Sequence, residues 1–342
     1  MTRDNLFGRS LFQPTISINH LNQLSQSLGS LSSNALSLVA IALSGQCAAI
    51  LGLCFVMTTS IARDYLQLID SIGQRLDIPP VKSIHIAPFE TDPRKNSKFG
   101  AMVLGDGTTG ITYTGLDDAL LDLQEPSRTR DLPGQSPVAV AQLYAGESGW
   151  QRSLGMAAIN AISQVVFKQS GYALPAMHKT VQQLALTKGD HIGMVGYFPP
   201  LVEQVRADGI RLTVLELDER WLQDGDDFAV TLEPARLSEC NKVLCTGTVL
   251  VNQTVDSALQ HCRGAAQIMI VGPTVGCLPD PLFDRGLTML GGTRVVDTEK
   301  FLALWAAQEK WRDATKRYAL SGGTGYPGIE ALMSTLATRR ER

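Results

Sequence analysis

Apolar residues between 58 and 173 recur first at helical and then at strand spacing. The run TTSIARDYLQLIDSIGQRL predicts a helix near 59–76, with Thr58 and Thr59 as cap candidates. Pro79-Pro80 then leads into a strand, VKSIHIAPF (81–89). FGAMVL (99–104) and GITYTGL (110–116) are short β-rich runs joined by GDGTT. Glycine and aspartate adopt positive φ readily there, so the pair predicts a hairpin. Residues 117–135 are acidic and then carry Pro and Gly, the composition of a surface loop. WQRSLGMAAINAISQVVFKQSG (150–171) predicts a helix stopped by Gly171. Gly155, Ala157, Ala158 and Ala161 would let a neighbouring element approach this helix closely.

From about 174 the pattern changes to alternating helix and strand. Strands are expected at 191–196, 211–217, 242–246, 266–271 and 293–296, and helices at 199–207, 251–263 and 299–318. Short apolar runs alternating with helices imply a parallel sheet covered on both faces. The fold class is therefore α/β: a Rossmann-like domain (174–342) preceded by a small α+β domain (57–173). In such sheets ligands bind at the carboxyl ends of the strands, where strand order reverses. The last stretch, SGGTGYPGIEALMSTLATRRER, reads as a loop and a short amphipathic helix.

The first 56 residues differ. Residues 1–34 are polar and rich in Ser, Asn and Gln, and ALSLVAIALSGQCAAILGLCFVM (35–57) then runs 23 residues without a charge. That length can cross a bilayer, although Ser44-Gly45-Gln46 interrupts it. Three readings follow: an upstream extension outside the working protein, a membrane anchor, or a packed helix. Under any of them the rest resembles a soluble enzyme, cytoplasmic unless 35–57 anchors it. Apolar helices such as 150–168 are compatible with a homodimer and equally with burial.

Charge removes one class of partner. The net charge is −3 with a pI near 6.0, and there is no basic run, whereas nucleic-acid binders need clustered Lys and Arg. Six cysteines, at 47, 54, 240, 245, 262 and 277, have no paired spacing and read as reduced thiols. The five histidines are dispersed, with no CxxC, HExxH or HxxxH pattern, so no built-in metal is expected.

Candidate chemistry lies at the strand ends. Gly193 and Gly196 close the first strand of the second half, and Glu216 ends the next. This spacing suits a carboxylate accepting ribose hydroxyls. The alternative is that both glycines serve packing and Glu216 is a solvated acid. Where a glycine-rich phosphate turn would sit, the chain reads Tyr197-Phe198-Pro199-Pro200. Two prolines remove backbone donors from the place where a pyrophosphate is held, which disfavours NAD, FAD and nucleoside triphosphates. A phosphate-free nucleoside such as S-adenosylmethionine fits better, because aromatic faces attract its sulfonium; otherwise the rings plug a domain interface. Thr246-Gly247-Thr248 forms a turn with hydroxyls, and Asn252 and Thr254 open the next helix, where they either hold a carboxylate or cap the helix. Gly272-Pro273-Thr274 makes a further lip, and the lone Cys277 beyond it reads as inert. In the first half, Tyr113 on the hairpin and Asn160 within the long helix stand out. Asn160 needs a partner, either backbone across the interface or ligand. His85 reads as a core histidine.

The strings WQRSLGMAAINAIS, HIGMVGYFPPLVEQV, LCTGTVLVNQTVDSAL and IVGPTVGCLPDPLFDRGLTMLGGTRVVD, in this order, resemble the putative heavy-metal-chelation family over roughly 60–320. The resemblance implies a small enolase-N-terminal-like domain paired with a Rossmann-like one. The metal function in the family's name finds no ligand cluster in this sequence, and a non-catalytic binder of metal or metal chelate is the alternative function. FGAMVLGDGTTGITYTGL also resembles azetidine-2-carboxylate synthases and related S-adenosylmethionine lyases. That second resemblance implies attack of the substrate's own α-amine on its γ-carbon, with loss of methylthioadenosine. For that chemistry adenosine binding is expected at Gly196 and Glu216, sulfonium contact at Tyr197, Phe198 and Tyr113, and carboxylate anchoring at Asn252 and Thr248.

Overall fold

Two sheets, one of three strands and one of seven, carry the architecture of the computed structural model, which describes residues 60–92, 97–177, 180–323 and 325–340. The apolar run 35–57 and the polar residues before it lie outside the described residues. Among the described residues no helix is long and apolar enough to cross a membrane.

Helix α1 (Ile61–Arg75) buries Ile61, Tyr65, Ile69 and Ile72 along one stripe. Its cap is Ser60, whose hydroxyl oxygen accepts the Arg63 N–H at 3.3 Å, rather than the expected threonines. Strands β1 (Val81–Ile86), β2 (Phe99–Leu104) and β3 (Thr109–Tyr113) pair antiparallel in that order. The β2–β3 turn is the expected one: Gly107 has φ +81°, and the Asp106 carboxylate accepts the Thr108 N–H at 2.9 Å. The stretch 117–135 is less exposed than its composition suggested, because a helical turn, Ala119–Asp122, buries Ala119 and Leu120.

Helix α2 (Gly149–Ser170) matches the expected span and ends at Gly171 with φ +70°. It is buried on nearly every side, as an all-round apolar helix should be. Its small residues do admit close neighbours. A Cβ on Gly155 would collide with the Tyr144 backbone, and one on Gly110 of β3 would collide with the Ala157 carbonyl and the Ala161 backbone.

The large sheet contains β4 (His191–Val195), β5 (Arg211–Leu215), β6 (Phe228–Thr231), β7 (Lys242–Thr246), β8 (Gln267–Val271), β9 (Met289–Val295) and β10 (Thr315–Ser321). Their order is β10-β9-β8-β7-β4-β5-β6. Every pairing is parallel except β10 with β9. Helix α3 (Pro199–Ala207) falls where expected. The expected helix 251–263 is shorter, α4 (Val255–His261), because Gln253 takes φ +57° and breaks it from the turn Thr248–Val251.

The largest correction concerns 299–318, expected as one helix. Helix α5 (Thr298–Ala306) stops at Gln308, which adopts φ +56° while the Glu309 N–H returns to the Leu304 carbonyl. This is the left-handed helix stop usually made by glycine. The chain then turns through Trp311–Ala314 into β10. Strand β6 was likewise not expected. Helix α6 (Ile329–Arg340) buries Leu332, Met333 and Leu336.

Residues 59–342 pack as one unit. Tyr65 of α1 donates to the Leu278 carbonyl (2.9 Å), and Tyr144 donates to the Leu250 carbonyl (2.6 Å). The segment after α2 runs along β10: the Ala319 N–H bonds the Pro175 carbonyl at 3.0 Å and the Met177 N–H bonds the Arg317 carbonyl at 3.1 Å.

Candidate functional site

Strand β4 has β5 on one side and β7 on the other, so the sheet's switch point lies between β4 and β7. Gly196 ends β4 with φ +87°, and a Cβ there would press on the Thr246 methyl at 2.9 Å. Its N–H bonds the Leu215 carbonyl at 2.9 Å. The Glu216 carboxylate folds back over this turn. One oxygen accepts the Tyr197 N–H and the other the Leu217 N–H, both at 2.8 Å. Tyr113 of the hairpin belongs to the same neighbourhood: burial first, and then the Glu216 charge, raise its phenol above the ordinary range. The structure thus brings Tyr113, Gly196, Tyr197, Glu216 and Thr246 to one rim.

The Tyr197 ring stacks on Trp221, with centroids 4.9 Å apart and planes 26° from parallel. Trp221 is 49% exposed and was not singled out from the sequence. Phe198 begins α3 and faces a cleft described below. Gly193 is not at the rim. It lies inside β4, where a Cβ would meet Leu237 at 3.0 Å and Cys240 at 3.2 Å. Gly247 and Gly272 bring the ends of β7 and β8 together: the Gly247 N–H bonds the Val271 carbonyl, and a Cβ on Gly272 would sit 3.5 Å from the Gly247 nitrogen. Thr248 donates its hydroxyl to Thr246 at 3.3 Å. The Asn252 carbonyl oxygen accepts both the N–H (3.2 Å) and the hydroxyl (2.8 Å) of Thr254, the geometry of a helix start.

A cleft of about 720 Å³ opens beside this rim. Phe198 and Pro200 contribute to its wall, with Gly272-Pro273 after β8 and Phe99 from β2. Leu201, Leu244 and Val271 line it too, and a further part comes from 310–317, the stretch that was expected to be helical. Trp311 sits there edge-on to Phe99 (6.2 Å) and Phe301 (5.5 Å). Lys310, Arg312 and Arg317 also line the cleft, whereas among the described residues no lining residue is Asp, Glu, His or Cys. Burial, and then the charge of Arg312, lower the Arg317 guanidinium from its usual value. Arg317 donates to the Thr180 hydroxyl oxygen at 3.0 Å.

The other candidates are structural in their contacts. Asn160, 0% exposed, donates to the carbonyls of Ile111 (2.7 Å) and Thr274 (2.6 Å), which joins β3 to the lip after β8. The amide nitrogen thus finds backbone partners, while the buried Oδ1 has no hydrogen-bond partner among the described residues. His85 is half-buried rather than in the core; it bonds Ser83 at 2.8 Å, and burial lowers its pKa. Cys277 is fully buried, accepts the Tyr65 hydroxyl at 3.0 Å, and is pushed up to about 12 by burial. Among the described residues no group of three or more His, Cys, Asp or Glu could hold a metal ion.

Known proteins of similar sequence and fold add a family. The DUF364 family model, described as putative heavy-metal chelation, matches residues 179–321, and the DUF4213 model of the same description matches 97–163. An uncharacterized protein of Methanocaldococcus jannaschii is 31% identical over 179 residues, covering 50% of this chain and 66% of that protein. A DUF364-family protein of unknown function from Pyrococcus horikoshii superposes with a TM-score of 0.53 at 18% identity, over 76% of this chain and 99% of its own. Another, from Desulfitobacterium hafniense, gives 0.56 at 20% identity, over 75% and 98%. These two structures share the fold. The stretches that build the rim and the cleft thus match the DUF4213 and DUF364 family models, whose common description is putative heavy-metal chelation.

Proposed function

We propose that the chain binds a phosphate-free adenosyl compound, S-adenosylmethionine foremost, at the carboxyl rim of the large sheet, and acts on it as an intramolecular cyclase or lyase. One observation carries the reading: the Glu216 carboxylate occupies the Tyr197 N–H. In a phosphate-binding turn that amide would face an anion. A pyrophosphate placed here would meet a carboxylate instead, next to a helix whose first residues are Pro199 and Pro200. Ribose hydroxyls, by contrast, donate, and carboxylate oxygens that already accept one bond have lone pairs left.

The rings suit the sulfonium. Phe198 and the Tyr197–Trp221 stack offer aromatic faces beside the rim, an attraction of roughly 0.5–2 kcal/mol depending on desolvation. Tyr113 keeps its phenol proton, so it contributes a ring and a hydroxyl rather than a base. In the proposed step the neutral α-amine forms a bond to Cγ while the Cγ–S bond breaks. The electron pair leaves with sulfur as methylthioadenosine, and the ring nitrogen releases a proton to solvent. The protein's part is to hold the near-attack shape and exclude water. Carboxylate anchoring by Thr248 and Asn252 has the weakest support, because both are already bonded to neighbours.

The test is calorimetry of the purified chain with S-adenosylmethionine and with NAD, followed by mass spectrometry for methylthioadenosine and a cyclised amino acid. S-adenosylmethionine alone should bind. Equal or tighter NAD binding overturns the reading, and binding without methylthioadenosine release removes the enzymatic half.

A second reading, a non-catalytic binder of a metal chelate, is favoured by the cations of the cleft. With no Cys, His or acid lining it among the described residues, the cleft would suit an anionic complex that brings its own donors. Titration with Ni²⁺, Co²⁺ and molybdate tests it; tight uptake of a metal species without nucleoside binding would reverse the ranking.

A further inference from the structure

We infer that Lys310, Arg312 and Arg317 form an anion subsite of the cleft, which takes the carboxylate or phosphate group of a ligand whose apolar or planar body lies against Trp311 and Phe99. The inference does not rest on the adenosyl reading; it concerns a different group of residues and any ligand of this chemistry.

Three observations support it. The first is charge without compensation: all three cations line one cleft, and among the described residues no acidic side chain lines it and none of the three has a carboxylate partner. Like charges gathered in a concave site repel one another, and an anion relieves that repulsion. Arg312 and Arg317 are close enough for the first to depress the second.

The second is preorganisation. Lys310 and Arg312 flank Trp311, which is set edge-on to both Phe99 and Phe301. The turn is tied to β10, since the Thr315 hydroxyl donates to the carbonyls of Trp311 and Arg312, each at 3.3 Å. Arg317 is steadied by the Thr180 hydroxyl and the Met177 sulfur, both bonded by one terminal nitrogen, which leaves the guanidinium's other three N–H donors for a ligand. The third is the apolar remainder of the wall: Leu244, Val271 and Phe198 with the two aromatic side chains. Pockets of this size, apolar with a few convergent polar groups, are the usual form of small-molecule sites.

The probes are phenyl phosphate and 3-phenylpropionate, with neutral 3-phenylpropan-1-ol as the control, measured by ligand-observed NMR and calorimetry. Both anions should bind and the alcohol should not, with affinity falling as salt is raised. Tighter phenyl phosphate points to a phosphate ligand, and tighter phenylpropionate to a carboxylate. The Lys310→Gln/Arg312→Gln double variant should lose at least about tenfold in anion affinity. Lys316→Gln, which removes a charge from β10 away from this cleft, should bind as the unaltered chain does. Binding of the alcohol as tight as that of the anions, equal weakening by Lys316→Gln, or failure of both anions to bind at millimolar concentration overturns the proposal. Failure of S-adenosylmethionine to bind would count against the adenosyl reading alone.

Discussion

Glu216 accepts the backbone N–H of Tyr197 at 2.8 Å, across the 19 positions that separate them in sequence. An acid at the end of β5 thereby becomes the cap of the turn that follows β4. The pair leaves that N–H already bonded within the chain, and it can be tested directly.

Glu216→Gln should fold, because the amide oxygen can still accept the Tyr197 N–H, and the Leu217 N–H that loses its acceptor is at an exposed position. Its lost charge should weaken S-adenosylmethionine binding about tenfold, in line with a charge-assisted bond of roughly 1.5–3 kcal/mol. Calorimetry on the variant checks this, and unchanged affinity would remove Glu216 from the site.

Asn160 joins β3 to the lip after β8 through two buried carbonyls. Asn160→Leu leaves both without their donor and should cost about 2–4 kcal/mol in urea unfolding. A loss below about 1 kcal/mol would show that the two halves do not depend on this bridge.

Glycines separate close approach from chain flexibility. Gly110→Ala drives a methyl into the Ala157 carbonyl and the Ala161 backbone, and should destabilise by about 3 kcal/mol or more. Gly189 has open space and no positive φ, so Gly189→Ala should stay within about 0.5 kcal/mol of the parent. Thermal unfolding of the two variants side by side makes the comparison.

Acid sensitivity should reflect Asp190. Burial alone would raise its pKa, but bonds from the Thr187 N–H, Asn241 and Lys242 outweigh that and hold it at about 2, against an ordinary 3.8. A depressed folded-state value means that the stability it contributes is fully present above about pH 4 and is lost as pH falls toward 2. The stability gap between the parent and Asp190→Asn should therefore narrow across that window in urea unfolding at stepped pH. A constant gap would mean that the native carboxylate is not stabilised in this way.

Thiol chemistry gives a further check. Cys240, Cys245, Cys262 and Cys277 are buried, and burial raises all four thiols. Iodoacetamide should leave them unmodified in the native protein and label them after denaturation, as mapped by peptide mass.

What the sequence reveals follows from where its signals are strong. Helix α2, the β2–β3 hairpin and the interior strands β4, β5, β7 and β8 have long periodic runs or turn residues at their ends, and each lies close to its expected span. Strand β6 is four residues at the sheet's edge, too short for alternation to stand out. Strand β10 carries Lys316 and Arg317 and follows a helix stopped by Gln308 rather than glycine, so no punctuation marks the change. That single misreading hid the cations of the cleft. The alternation of Lys310 and Arg312 about Trp311, just before the β-branched and aromatic run TKRYALS, was the available signal. The rim fared better, because Gly196 and Glu216 are spaced as a nucleotide-binding unit spaces them; Trp221 was invisible because stacking on Tyr197 depends on the path of the loop after β5.

The strip of chain around Pro175 and Met177, laid along β10, has a consequence for how the molecule comes apart. The same few residues that connect α2 to the second half also shield the outermost strand's free hydrogen-bonding groups. Pulling the halves away from each other would uncover a sticky border as well as a cleft, so swinging open at this joint is penalised twice.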